Sequence, residues 1–432
     1  MDSNYMMENN NQIISNRNIK MFNCGFGDCF VINEGTTNFL VDCGGCEKQT
    51  KKDLPNILNN VLVSQNNEFS NYLLITHFHR DHYDIIEHLD DKIKFKNIYL
   101  RNIYSSSSFV KLTFLNLLLS ACSSSRWQEA LFSIFALNNL ESRLENNGHF
   151  IFVKEGDFIQ VSGSNYKVLS PFNSRCQNNC NDKELNEIFE KIISSIKDKE
   201  LKLTLKKIKN DGLNNELEYT DENEGIKDYF IMKIYYLLKK YFNQIEDSIL
   251  DKKISKAKIN NIIVNNELKE LITDSRLYLK RKVGNKKIKI FSKIINSKLE
   301  HEYNVSFLTK DKEDSSDIKL LMLGDAISSD IDKIIKNNNI HDVFILKAPH
   351  HGTDTHVFKG PLCAETVLIS HSKYSSYHNI DCFFYHSISK KIYCTNGNNK
   401  YKIRKFHNQF NKSQMMDYIE IDFYFLFIVK IN

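Results

Sequence analysis

The sequence predicts an α/β fold. Short apolar runs of strand character alternate with segments of helical period, and several of those runs stop at turns dense in His, Asp and Gly. The third observation is where the backbone is punctuated. The 432 residues contain 15 Gly and 4 Pro, about half or less of the usual ~7% and ~5%. Five of those 15 glycines fall between Gly25 and Gly45, whereas residues 172–323 hold only Gly212, Gly225 and Gly284 and no proline.

In chain order, Phe30-Val31-Ile32 leads into a Glu34-Gly35-Thr36 turn, and Phe39-Leu40-Val41 follows, ending at Asp42 and Gly44-Gly45. Residues 72–75 read as a buried strand stopping at Thr76-His77. A helix is expected from about Asp81, with Tyr83, Ile85, Ile86 and Leu89 as its apolar positions. Residues 98–100 suggest another strand, 109–122 and 127–144 two apolar helices, and 150–171 strands with turns at Glu155-Gly156-Asp157 and Ser162-Gly163.

After Pro171 the texture changes to Lys, Asn, Glu and Ile. Leu185, Ile188, Phe189, Ile192, Ile193 and Ile196 recur at helical spacing behind a capping box of Asn181 and Glu184, and Ile226, Phe230, Ile234, Leu237, Leu238 and Tyr241 do the same. This predicts a mostly helical insertion over 172–300, between the half-domains 1–171 and 301–400. Strands are expected at 305–308, 318–323, 343–346 and 366–369, and the alternation from Ile419 to Ile431 predicts a C-terminal β extension over 401–432.

Composition excludes several classes. A net charge of +5 over 432 residues is too faint to argue for a nucleic-acid or membrane partner. The Asn-rich first 20 residues lack the apolar core of a signal peptide, and no apolar run approaches the ~18 residues of a spanning helix. Ten cysteines are too few for a disulfide scaffold, so reduced thiols in the cytoplasm are expected. Cys43-Gly-Gly-Cys46 has a metal-like or redox-like spacing, as does the Cys176, Cys180 pair more loosely, but no regularly spaced second pair accompanies them.

The strongest chemical signal is Thr76-His77-Phe78-His79-Arg80-Asp81-His82, with three imidazoles and a carboxylate just after a buried strand. In an extended turn His77 and His79 point the same way and can grip one cation. Asp81 and His82 can face a second about 3.5–4 Å away. Nitrogen and carboxylate donors suit Zn²⁺ first and Mn²⁺ or Fe next. Two later strand ends offer partners. Gly324-Asp325 places a carboxylate that can bridge both ions or, alternatively, cap a helix. Lys347-Ala348-Pro349-His350-His351-Gly352 supplies two more imidazoles, one expected on the second ion; spacing does not say which.

Together these residues resemble the metallo-β-lactamase superfold, whose signature is His-x-His-x-Asp-His followed by later Asp and His ligands. Phe22-Asn23-Cys24-Gly25-Phe26-Gly27-Asp28-Cys29 and Leu40-Val41-Asp42-Cys43-Gly44 further resemble the opening of the hydrolase domain of the ComEC competence proteins. Gly156-Asp157, 168–171, 304–308 and the segment from Ser370 to His378 fit the same branch. The resemblance covers about 18–171 and 300–400 and implies a four-layer αββα sandwich. Phe26 departs from it, standing where Gln is frequent, and so does Ser375-Ser376-Tyr377-His378-Asn379, where the branch closes on Gly-His-Pro.

By that resemblance the first ion would use His77, His79 and Asp325, and the second Asp81, His82, Asp325 and His350 or His351. A third histidine for the first ion is frequent in the superfold. Only His88, His149 and His301 lie in the relevant interval, and none has the expected context. The activity implied is hydrolysis of a phosphoester, foremost a phosphodiester in a small molecule or nucleic acid, by cation-bound hydroxide. Asp81, Lys347 and His378 are the expected catalytic contributors, although a lysine placed like Lys347 is more often a strand-end lysine with its head in solvent, and the alternative for His378 is an ordinary loop residue. The competing reading is a metal-binding module acting through a protein partner docked on 172–300; a lid over the site is a further role for that insertion.

Overall fold

The computed structural model describes residues 17–45, 47–63, 70–102, 107–120, 127–162, 164–176, 182–211, 229–249, 251–259, 268, 270–271, 273, 291, 294–295, 300–301, 303–310, 318–371, 380–395, 418–422 and 429–431. Two mixed sheets organise them. The first contains β1 (Arg17–Phe22), β2 (Cys29–Glu34), β3 (Thr37–Cys43), β4 (Ser70–Leu74), β5 (Phe95–Arg101), β6 (Leu144–Val153), β9 (Lys253–Ser255), β15 (Tyr418–Asp422) and β16 (Val429–Ile431), in the order β16-β15-β1-β2-β3-β4-β5-β6-β9. The second contains β7 (Phe158–Val161), β8 (Ser164–Ser170), β10 (Ser306–Lys310), β11 (Ile318–Met322), β12 (Asp342–Lys347), β13 (Cys363–Ile369) and β14 (Ser389–Cys394), in the order β14-β13-β12-β11-β10-β8-β7.

Strand alternation assigns side chains to three cores. Phe39, Val41, Tyr72 and Leu74 of the first sheet meet Val168, Phe307, Leu320, Met322 and Ile345 of the second, forming a core between the sheets. Leu40, Leu73, Ile98 and Phe150 face the other way and pack under helices, as do Leu321, Leu346 and Val367 on the outer face of the second sheet. The result is an α/β sandwich. None of its described helices is long and apolar enough to cross a membrane.

Residues of the 172–300 segment share the helical core of the first sheet. Helices Asp182–Ser195, Lys199–Asn210 and Tyr229–Ser248 bury Phe189, Ile192, Leu205 and Leu238 alongside Leu115 and Leu118 of helix Ser107–Ser120. The segment also supplies β9, which pairs antiparallel with β6 at the sheet edge.

Several elements differ from their periodicity. The helix expected from Asp81 is one turn, Arg80–Tyr83, followed by a 3-10 turn at Ile86–His88, because the Ile85 amide leaves the helix ladder and donates to Cys43 O (3.0 Å). The apolar positions stay buried all the same. The helix expected over 127–144 breaks at Phe135, and β6 already starts at Leu144. The C-terminal alternation spans two antiparallel strands, with Ile419 opposite Ile431. Strands β9 and β14 were not legible in the sequence.

Candidate metal centre

Parallel pairing of β3 with β4, and of β11, β12 and β13 with one another, aligns their C-terminal ends. Asp42, the Thr76–His82 loop, Asp325, the Lys347–His351 turn and Ser370 therefore emerge together, where α/β sheets commonly place their chemistry. A left-handed residue at Asp42 (φ 56°) interrupts the alternation of β3, so Cys43 joins the Leu40 side of the sheet.

Glycine permits the closest approaches. A Cβ on Gly44 would lie 2.0 Å from the Asp81 carbonyl carbon. The loop is then tied down by Asp28 N donating to Asp81 O (2.9 Å) and Gly44 N donating to Asp28 O (3.0 Å). Gly324, at φ 52°, turns the chain so that Asp325 N donates to Asn304 Oδ1 (2.9 Å). His350 and His351 are both left-handed, at φ 45° and 57°, a conformation costing roughly 1–2 kcal/mol per residue. The bond from His350 N to Gly324 O (3.0 Å) helps hold that turn.

Three groups of possible donors result; the third, Asp28, Asp42 and His82, shares His82 with the second. In the first, His77, His79, His301 and Asp325 each bring one ligand atom to within 4.8 Å of the others. His77 Nε2 and His79 Nδ1 lie 3.0 Å apart, and His77 Nε2 lies 3.6 Å from Asp325 Oδ2. In the second, Asp81, His82 and His351 converge, with His351 Nε2 at 3.1 Å from Asp81 Oδ2. Asp325 Oδ2 lies between the first two groups, 3.5 Å from His82 Nε2 and 3.6 Å from His350 Nε2.

Neighbouring acceptors orient the imidazoles. Asp42 Oδ2 accepts from His82 Nδ1 (2.9 Å), which turns Nε2 towards Asp325 (3.5 Å). The Thr76 hydroxyl donates to the same Asp42 oxygen (2.7 Å) and stands 3.2 Å from His77 Nδ1, so one carboxylate orients two imidazoles. The Ser370 carbonyl can only accept, which puts a proton on His351 Nδ1 (3.1 Å), while Nε2 faces the Asp81 carboxylate (3.1 Å). Phe26 packs against the His351 ring, centroids 4.4 Å apart.

Electrostatics agree with a ligand role in the first group. In the second, burial alone would lower His351 and His82, but Asp28 and Asp81 hold His351 up to about 9 and Asp325 and Asp42 raise His82, so a cation there would have to displace a proton. Burial, then the crowding imidazole of His79, pushes His301 down to about 3, so it is a neutral donor at pH 7. Burial and His82 likewise depress His77. Burial alone would raise Asp325, but His82, His350 and His77 surround it and hold it well below the usual carboxylate range. Asp325 Oδ1 and Oδ2, His82 Nε2 and His301 Nε2 are buried with no hydrogen-bond partner. Stranded polar atoms that converge in this way are costly unless a cation is bound among them. Imidazole nitrogen with carboxylate oxygen fits Zn²⁺ or Mn²⁺.

Each expected His and Asp ligand lies in this cluster. His351 joins Asp81 and His82, whereas His350 faces Asp325 and rings of His301 and His356 at 5.1 and 4.0 Å. Lys347 does not extend into solvent: it is 1% exposed, pairs with Asp28, donates to Gly324 O (3.1 Å) and lies 3.8 Å from Asp325 Oδ1. His301 was one of three histidines in the interval expected to hold a third ligand, but no surrounding motif set it apart from His88 and His149. Cys24, Cys29 and Cys43 are buried free thiols near the site. Cys46, Cys180 and His378 lie outside the described residues.

No protein-family model matches the chain, and no curated protein matches it. Among solved structures, it is similar to a protein of unknown function from Enterococcus faecalis, with 14% identity over 36% of this chain and 37% of that one. The TM-score is 0.21, too slight a likeness to carry an argument.

Proposed function

We propose that the chain is a metal-dependent hydrolase of the metallo-β-lactamase superfold, holding two divalent cations and acting on a phosphoester, foremost a phosphodiester. The observation that carries the reading is the shared carboxylate: Asp325 Oδ2 stands between a His77–His79–His301 group and an Asp81–His82–His351 group. Layering of two sheets between helices, with these strand ends on one edge, also supports it.

Zn²⁺ or Mn²⁺ bound there would supply a water of lowered pKa and Lewis-acid neutralisation of phosphoryl oxygens. The chain's own residues prepare the site for that. Asp42 and Ser370 accept from the Nδ1 atoms of His82 and His351, so that each Nε2 is turned inward, where it would bind a cation on losing its proton. Lys347, matched to Asp28 beside Asp325, balances buried negative charge from the protein side. Asp81 has 14% of its side chain exposed and His350 15%, which places them at the open side of the cluster where substrate would enter.

The substrate class rests on the sequence resemblance. Metal analysis of purified protein followed by a panel of phosphomonoesters, phosphodiesters and oligonucleotides tests both parts. Two ions per chain with diesterase activity is the expected result. A metal-free protein, or a loaded one inert on every phosphoester, removes the reading; tight copurification of a partner with an inert loaded protein would favour the interaction module.

A further inference from the structure

Glu300 is 2% exposed and lies next to the newly found donor His301. Its Oε2 accepts from the backbone N–H of Phe78 (3.0 Å), the residue between His77 and His79. The same oxygen pairs with Arg101 Nη1 (2.8 Å), which is fully buried at the end of β5. The Arg101 guanidinium also sits 4.9 Å over the Phe78 ring. One carboxylate thus ties three remote chain segments together at the first donor group.

We propose that Glu300 is a positioning residue for the first cation: by holding the Phe78 amide it locks His301 to the His77–His79 loop, so that this site forms only when the end of the 172–300 segment is seated. The physical requirement is simple. Three imidazoles on two segments must converge closely. The edge contacts of the His301 ring with His79 (4.9 Å) and His77 (5.8 Å) are joined by this hydrogen-bonded tie from the neighbouring residue. Arg101 neutralises the carboxylate, which otherwise would be an uncompensated buried charge. The second group, Asp81–His82–His351, is braced instead by Asp28, Asp42 and Ser370 and does not depend on Glu300.

The inference rests on the reading of the first group as a cation site, and its test measures binding rather than turnover. Two double variants remove both buried charges and differ only in the acceptor for Phe78. Glu300→Gln/Arg101→Met keeps an oxygen there; Glu300→Leu/Arg101→Met does not. In Co²⁺ titrations of the full chain, with His301→Ala marking which ion is the first, the Leu/Met variant should bind the first ion about 10–100-fold more weakly and the second within about threefold. The Gln/Met variant should hold both within about threefold of the starting protein. Equal weakening of both ions, or wild-type binding by the Leu/Met variant, overturns the proposal. If the Leu/Met variant is unfolded, the Gln/Met variant decides alone: selective loss of the first ion there overturns it, and retention supports it. A starting chain that binds no cation removes the site itself, while one that binds two without hydrolysing any phosphoester leaves this inference standing.

Discussion

His351 Nε2 lies 3.1 Å from Asp81 Oδ2, although 270 residues separate them and they emerge from different sheets. The contact exists because the two sheets pack face to face with their parallel strand ends on one edge. It makes the second donor group a property of the sandwich rather than of either half.

Removing a donor should therefore unload one position and spare the fold. His79→Ala and Asp81→Ala are each expected to reduce metal content from two ions per chain to one and to abolish phosphodiesterase turnover. Near-ultraviolet circular dichroism should remain that of the starting protein. Full metal content and undiminished turnover in both variants would remove the site assignment.

Asp42 should matter without touching a cation. It accepts from His82 Nδ1 and from both the amide and hydroxyl of Thr76. Asp42→Ala leaves those groups unpaired and frees the His82 ring, so metal affinity should fall by about 10–100-fold. Equilibrium titration against a competing chelator measures this, and an unchanged affinity would contradict the orienting role.

The buried pair of Lys347 and Asp28 gives a stability prediction. Each side chain is 1% exposed. Lys347→Met takes the nearest cation from the buried Asp28 carboxylate, leaving it His351 Nδ1 at 3.4 Å, and should destabilise metal-free protein by up to about 3–5 kcal/mol. Lys347→Met/Asp28→Asn removes both charges and should recover much of that loss. Urea unfolding of the three proteins reads the coupling; additive effects would mean that the pair does not act as a unit.

Two glycines offer a further contrast. At Gly44 any Cβ collides with the Asp81 backbone at 2.0 Å, so Gly44→Ala must shift the motif loop. Gly35 is also a turn glycine, with φ 64° and open space around it. Gly35→Ala should cost only the left-handed strain of about 1–2 kcal/mol and leave metal binding untouched. Gly44→Ala should impair both stability and metal content, and equal behaviour of the two variants would refute the close-approach argument.

The sequence by itself determined a good deal here. Compact apolar runs placed β3, β4, β11, β12 and β13, and their polar stops offered Asp81, His82, Asp325 and either His350 or His351 as donors, because such runs and turn chemistry are local. It could not assign His301 or Glu300, whose roles depend on where a long helical segment returns to the body. Nor could it tell that Lys347 is buried, since a lysine at a strand end reads the same whether Asp28 meets it or water does. The tertiary structure decided which carboxylate faces which imidazole, and with it which ring nitrogen each turns inward. Those outcomes follow from packing two sheets together, and such contacts leave no periodic trace along the chain.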